Sequence, residues 1–258
     1  MHTPDNTPAN RYGSIAAEIY DIDKPYFALP DTAYFLARLA RVTGPILEPA
    51  CGSGRTLVPL LEAGHEAAGF DPSPEMLERC RARCAEKGFA PDLRRQRFED
   101  FAFERRFAAV IVPVATFTLI DDAATALAVL RRLRDAIEPD GVAIIDIAPL
   151  ASLVDTGDDV RRWTAENGDL LTLHGRRTLT DWIMQRSETL IRYERWRDNR
   201  LIETQLEPMS QRYWGLEEFT WALQAAGFTD GAVSGGYADR PPRRGDRVMT
   251  FEARRDVN

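Results

Sequence analysis

The stretch from Ile46 to Asp71 constrains this chain more than any other part of it. Ile46-Leu47-Glu48-Pro49 reads as a short apolar strand, Ala50-Cys51-Gly52-Ser53-Gly54 as a glycine turn, and Arg55 to Glu62 as a helix. Glu66-Ala67-Ala68-Gly69-Phe70 is then a second strand that runs into Asp71. Two parallel strands joined by a helix place a turn and an acid side by side at their carboxyl ends. Glycine lets the backbone approach a ligand there, and a carboxylate accepts hydrogen bonds from ribose hydroxyls. The unit builds a nucleotide-type pocket. A dinucleotide fingerprint needs a third glycine in the pattern G-x-G-x-x-G, and this chain has Leu57 in that place, on an apolar helix face.

The alternation continues along the chain. Asp31 to Val42 has aromatic and leucine residues at helical spacing, Glu75 to Lys87 is a second crossover helix stopped by Gly88, and Leu93 to Arg97 is a short third strand. Phe107 to Val114 reads as a fully buried parallel strand, Asp121 to Ile137 as an amphipathic helix, Pro139-Asp140-Gly141 as a turn, and Val142 to Ile147 as the next buried strand. Between Thr156 and Tyr213 the period changes. Glu166-Asn167-Gly168-Asp169 and Arg197-Asp198-Asn199-Arg200 are turn signals, and between them Ile191, Tyr193 and Arg195 alternate with Arg192, Glu194 and Trp196. Antiparallel strands follow from that pattern, and Val248 to Ala253 is the final strand. The expected fold is α/β, a doubly wound, mostly parallel seven-stranded sheet with helices on both faces and an antiparallel β insertion before the last helix. Its expected parts are an N-terminal lid and helix over 1–44, a Rossmann-like domain over 45–154 and 214–258, and the insertion over 155–213.

A chain of 258 residues with 44% hydrophobic content can bury one sizeable core. Its net charge of -7 disfavours a nonspecific grip on nucleic acid or on an anionic membrane. The longest apolar runs, such as Ala108 to Ile120, are too short and interrupted to span a membrane, and a soluble cytoplasmic protein is expected. Cys80 and Cys84 share a helix face without a second ligand pair, so no metal site is expected, and Cys51, Cys80 and Cys84 read as structural thiols.

An acid four residues before the first glycine, the turn Cys51-Gly52-Ser53-Gly54 and an acid seventeen residues after Gly54 resemble the first motif and ribose acid of the class I S-adenosylmethionine-dependent methyltransferases. Leu133-Arg134-Asp135-Ala136-Ile137-Glu138-Pro139-Asp140-Gly141 is similar to the segment before their fifth strand. Trp214-Gly215-Leu216-Glu217-Glu218-Phe219 with Ala225-Ala226-Gly227-Phe228 is similar to their last helix and its glycine stop, so the resemblance covers nearly the whole chain. The insertion and the segment Ala17-Glu18-Ile19-Tyr20-Asp21 resemble the small-molecule branch of the family, which includes amino-sugar N-methyltransferases.

The resemblance implies S-adenosyl-L-methionine as cofactor, S-adenosyl-L-homocysteine as product, and a small-molecule methyl acceptor. It implies that Glu48 orients the methionine ammonium directly or through water, that backbone groups at Ala50 and Gly52 lie beside the amino-acid part, with Cys51, Ser53 and Gly54 in the same cofactor-binding turn, and that Asp71, with Pro72 after it, holds the ribose. Asp71 has a second reading as a helix cap, for which Ser73 is the better candidate. Met76 either packs under the adenine or faces the core. Gln96-Arg97-Phe98-Glu99-Asp100-Phe101 occupies the adenine segment, where Arg97 stands in place of the usual acid, leaving Phe98 for the ring face and Glu99 or backbone carbonyls for the amino group.

Pro113, Val114 and Phe117 fall where the methyl group meets its acceptor, Tyr20 could bond the methionine carboxylate or touch substrate, and Tyr26 and Phe27 could help cover the pocket. His174 is the histidine to weigh as a base, against the reading of an ordinary strand residue. Pro113-Val114-Ala115-Thr116 lacks the Asp/Asn-Pro-Pro-Tyr of base-methylating enzymes, so no nucleic acid partner is expected. The insertion either walls the acceptor pocket or forms a homodimer surface. Three readings compete with small-molecule methylation: a protein or RNA methyltransferase, a silent cofactor-binding scaffold, and a nicotinamide oxidoreductase.

Overall fold

The structure is a computed structural model, and it describes residues 10–25, 30–154, 158–229 and 231–255. Two helices open the chain, α1 (Ser14–Asp23) and α2 (Pro30–Leu39). The α/β alternation then runs β1 (Ile46–Pro49), α3 (Leu57–Glu62), β2 (Ala67–Phe70), α4 (Pro74–Glu86), β3 (Leu93–Arg94), β4 (Phe107–Val112), α5 (Ala123–Ala136) and β5 (Ile137–Ile147). Four long strands follow: β6 (Asp159–Thr164), β7 (Leu170–Asp181), β8 (Arg186–Arg197) and β9 (Arg200–Arg212). The chain closes with α6 (Leu216–Ala225), β10 (Phe228–Thr229), β11 (Val233–Gly235) and β12 (Met249–Arg255).

The main sheet has the order β10-β12-β5-β4-β1-β2-β3. All neighbours from β3 to β5 are parallel, and β12 is antiparallel to β5. Short β11 pairs with β12 on the same edge as β10, so the two together fill the seventh place of the expected sheet. The order reverses at β1 and β4, and in an open α/β sheet that is where a crevice forms beyond the carboxyl ends of the strands.

Both faces of this sheet are apolar, because the strands alternate between two buried layers. Leu47, Val110, Val112 and Ile145 pack with Leu130 and Leu133 of α5 and Phe219 of α6. Ile46, Ala109, Ile111 and Ile144 point the other way, into Phe35 of α2, Leu57 of α3 and Leu77 of α4. The second sheet, β6-β7-β8-β9, is antiparallel throughout. Its inner face packs Leu171, Leu173, Ile191 and Tyr193 against Ile15, Ala16 and Ile19 of α1. Among the described residues, no helix is long and apolar enough to cross a membrane.

The Pro139-Asp140-Gly141 turn takes a form the sequence did not suggest. It is a bulge inside β5, where Ile137 pairs with Phe107 and Val142 with Ala109, and Asp140 takes a φ of 65°. The helices begin where their caps dictate. Ser73 accepts the Met76 N–H at 3.1 Å and caps α4 with Pro74 at its first position, and Asp122 accepts the Thr125 N–H at 2.7 Å to cap α5.

Gly54 shows what the turn requires of its glycines. Its φ is +84°, and a Cβ there would lie 2.8 Å from the Cys80 sulfur. Gly54→Ala is expected to destabilise the protein by about 1 to 3 kcal/mol through left-handed strain and overpacking. Urea unfolding measures this, and an unchanged midpoint would mean that the turn is looser than described.

Candidate active site

A cleft of about 1220 Å³ lies between the carboxyl ends of the parallel strands and the inner face of the second sheet. One small ligand usually occupies roughly 300 to 1,000 Å³. The space admits two molecules side by side.

The wall on the parallel-sheet side is made by the loops that leave each strand. Ala50 and Gly52 follow β1, Asp71 and Pro72 follow β2, Phe98 and Glu99 follow β3, and Val114 follows β4. A Cβ added at Gly52 would meet only the Met76 sulfur, at 4.0 Å, so this glycine leaves backbone open to a ligand. The Gly52 N–H donates to Asp71 Oδ2 at 2.9 Å and the Ser73 N–H to Oδ1 at 2.8 Å. Each carboxylate oxygen keeps a free lone pair, so Asp71 can accept from two further hydroxyls. Burial pushes its pKa up to about 6, against the two N–H donors that hold it down. Met76 and Phe98 supply apolar surface, and Phe98 stands edge-on to Phe70 at 5.9 Å.

Behind this wall lies a buried polar cluster. Arg55 makes a bidentate pair with Asp31 of α2, and its charge acts on the buried Tyr20 phenol of α1. Glu48 is buried beside it, and burial holds its pKa well above the usual carboxylate range, with the Arg55 charge acting in the opposite sense. Two buried atoms of the cluster, Glu48 Oε2 and Arg55 Nε, have no partner among the described residues. An unpaired acid acceptor and an unpaired guanidinium donor in one cluster suit a zwitterion, which brings an ammonium and a carboxylate together. The donor set thus fits an amino-acid group at the methionine end, a ribose at Asp71 and a flat apolar ring at Phe98.

Several of the residues expected at the site do not line the cleft. Cys51 and Ser53 turn away from the cleft: a Cβ on Gly69 would meet the Cys51 sulfur at 2.9 Å, and Ser53 accepts from Arg83 through both its carbonyl and its hydroxyl at 3.0 Å. Gly54 faces α4 through Cys80. Pro113 is buried, and its carbonyl is taken by the Thr116 hydroxyl at 2.7 Å. Phe117 is fully buried between Phe98, Trp214 and Phe219, with Phe98 at 6.4 Å as its neighbour toward the cleft.

His174 lies on the wrong side of its strand. Leu173, Gly175 and Arg177 line the cleft, so strand alternation sends His174 to the opposite face, 3.8 Å from Glu194. Tyr26 and Phe27 lie outside the described residues.

Other residues enter the site without a sequence signal. Asn10 to Gly13 form a strap across one side of the cleft. Asn10 N–H donates to the Pro208 carbonyl at 3.0 Å, Glu207 accepts the Tyr12 and Gly13 N–H groups, and the Tyr12 carbonyl accepts from Ser73 at 2.9 Å. Tyr12 meets Tyr20 edge-on at 6.1 Å, and burial drives its phenol pKa far up. Lys24 lies 4.7 Å above the Tyr20 ring, and desolvation lowers its pKa. The Arg55 position directly after the glycine turn was the one available hint, since a charge there precedes the apolar run Leu57-Val58-Pro59-Leu60.

Comparison with known proteins agrees with this geometry. Residues 46–141 match the family model described as a methyltransferase domain. A cypemycin N-terminal methyltransferase from Streptomyces sp. is 26% identical over 216 residues, which cover 79% of this chain and 80% of that protein. The crystal structure of an S-adenosylmethionine-dependent methyltransferase from Clostridium acetobutylicum superposes with a TM-score of 0.78 at 17% identity, covering 93% of this chain and 97% of that one. The sugar N-methyltransferase KedS8 from Streptoalloteichus sp. superposes with a TM-score of 0.74 at 18% identity, covering 99% and 97%. Residues 46–141 thus carry a methyltransferase domain, and the chain as a whole has the fold of the solved S-adenosylmethionine-dependent methyltransferases.

Proposed function

We propose that the protein methylates a small polar metabolite at nitrogen or oxygen, with an amine as the first acceptor class. The observation that carries this reading is the cleft itself. It has room for a second molecule beside the cofactor, and its far wall is a mixed surface of Leu173, Thr189, Ile191, Met209 and Gln211 on the second sheet. That surface suits a compact acceptor with both apolar and polar edges. The insertion over 155–213 thus serves as the acceptor wall. The likeness to a sugar N-methyltransferase over nearly the whole chain puts amino sugars first among amines. The relationship to a cypemycin N-terminal methyltransferase supports one second reading, a peptide amino terminus as the acceptor.

The proposed roles follow from the geometry. Asp71 accepts from the ribose hydroxyls, Glu48 receives the ammonium, and Arg55 with Tyr20 faces the carboxylate. Met76 and Phe98 flank the adenine, while Glu99 stays at the exposed rim, paired with Arg97 at 3.4 Å. When bound, S-adenosylmethionine supplies an activated methyl group, so transfer mainly requires an acceptor lone pair held in line in a site closed to water. The strap and α1 supply that closure from one side, and the inner face of β7 to β9 from the other.

Calorimetric titration with S-adenosylmethionine and S-adenosylhomocysteine tests the cofactor half. Methyl transfer to 2-amino-2-deoxyglucose, 3-amino-3-deoxyglucose and a short peptide with a free amino terminus tests the acceptor half. Transfer to the peptide and to neither sugar would overturn the metabolite reading in favour of the second one.

Asp71→Ala should weaken binding of S-adenosylhomocysteine by about 1 to 3 kcal/mol, the worth of hydrogen bonds to a charged group. Undiminished affinity would place the ribose elsewhere. With the Asp71 pKa at about 6, the carboxylate is ionised at neutral pH and protonated below it. Affinity for the cofactor is therefore expected to be flat above about pH 7 and to fall by up to about tenfold per pH unit below about pH 6, with Glu48 acting in the same direction. A titration flat from pH 5 to 8 would refute this. His174→Gln should leave transfer unchanged, because that side chain is on the outer face; a large loss of turnover would overturn the placement.

A further inference from the structure

At the carboxyl end of β4 the chain adopts a conformation that its residues resist. Val114 and Ala115 have φ values of 60° and 55°. A left-handed conformation at a β-branched residue is a genuine outlier, held only when its surroundings over-determine it. Both residues line the cleft. The Pro113 and Ala115 carbonyls are tied to Thr116 and Thr118 in the turn that follows, and the Val114 N–H is held from the neighbouring strand, donating to Asp146 Oδ2 at 2.8 Å.

Asp146 is fully buried in β5, between apolar residues that belong to the two core layers. The Tyr237 hydroxyl donates to the same oxygen as Val114 at 2.8 Å, and the Thr250 hydroxyl to the other oxygen at 2.6 Å. Tyr237 arrives from the loop between β11 and β12 and leans on Tyr34 of α2, 5.7 Å between ring centres. Among the described residues no cation pairs with Asp146, and the charge of Asp31 on α2 adds to its isolation. A carboxylate with three donors and no counter-ion is a costly way to satisfy one backbone N–H inside a sheet. An apolar residue with Val114 relaxed would serve stability better. The cost is intelligible if the turn has to keep its shape.

We infer that Asp146 is a positioning residue for methyl transfer, fixing through the Val114 N–H the left-handed Val114-Ala115 turn against which the acceptor lies. The inference rests on the methyl-transfer reading of the cleft. Asp146 touches neither substrate nor cofactor in this role; it sets the wall that does.

Asp146→Ala strands three donors and can unfold the sheet, so the test uses a combined variant. Asp146→Leu with Thr250→Val and Tyr237→Phe replaces the buried polar set by apolar groups and leaves only the Val114 N–H without its acceptor. In this variant kcat toward whichever amine of the panel the wild type methylates should fall by at least about tenfold, with the Kd for S-adenosylhomocysteine within about threefold of wild type. Hydrogen exchange at the Val114 amide, which needs no substrate, should lose its protection. Asp146→Asn should restore both kcat and protection, because its carboxamide oxygen still accepts that N–H.

Val114→Gly provides a second reading of the same idea. Glycine occupies the left-handed region without penalty. The substitution should raise kcat in the combined variant and not in the wild type. Unchanged kcat in the combined variant, a loss confined to cofactor binding, or a Val114 amide that stays protected would each overturn the inference. A wild-type protein that binds neither S-adenosylmethionine nor S-adenosylhomocysteine would instead overturn the reading beneath it.

Discussion

Three carboxylates, Glu48, Asp71 and Asp146, sit buried at the carboxyl ends of β1, β2 and β5, and the architecture around the cleft is arranged to keep them there. Burial raises the pKa of all three, because water is replaced by apolar strands and only partial compensation is on hand. Asp71 has two backbone N–H groups, Asp146 has one N–H and two hydroxyls, and Glu48 has the neighbouring Arg55. Arg55 is already committed to Asp31. Of the three, Asp71 lines the cleft, while Glu48 and Asp146 lie behind its wall. The parallel sheet makes this possible, because only at the strand ends can an acid be both buried by its neighbours and open to a cleft.

The same strand ends concentrate backbone strain. Ala50 after β1 and Val114 and Ala115 after β4 all have positive φ, and all line the cleft. A glycine at any of these positions would relax the local backbone and lose rigidity. Strain in non-glycine residues gives a wall with one shape, which matters most in a reaction that needs alignment more than acid or base chemistry. The buried residues Pro113, Phe117 and Trp214 support that wall from behind.

The cofactor half of the fold was legible because it is local. The glycine turn, Asp71 and the α4 cap lie within thirty residues of one another, and their spacing alone sets the strand-turn-helix geometry. The apolar runs of β4 and β5 carried a buried parallel sheet in their composition. What could not be read is long-range or depends on register. The partner of Arg55 is Asp31, on a helix that precedes the sheet, and Asp146 reads as one polar residue within an apolar strand until Val114 and Thr250 are seen on either side of it. His174 illustrates the register problem: in a strand, a shift by one residue exchanges the two faces, and composition does not say which face is inward. The β7–β8 pairing also shifts between Arg177 and Leu179, so alternation counted from either end of the hairpin would disagree.

The cleft has two builders, and this has a consequence for how such a protein diversifies. The loops after the parallel strands, with Tyr20 of α1, make one wall, while the opposite wall comes from a separate antiparallel sheet packed on α1 and tied to the Asn10 to Gly13 strap. Side chains at Leu173, Thr189, Ile191, Met209 and Gln211 lie apart from the glycine turn, Asp71 and the strained β4 turn. One half behaves as a fixed engine and the other as an interchangeable mould. On the proposed reading of that wall as the acceptor side, new acceptors are within reach of a few substitutions on the inner faces of β7 to β9, with the other wall left as it is.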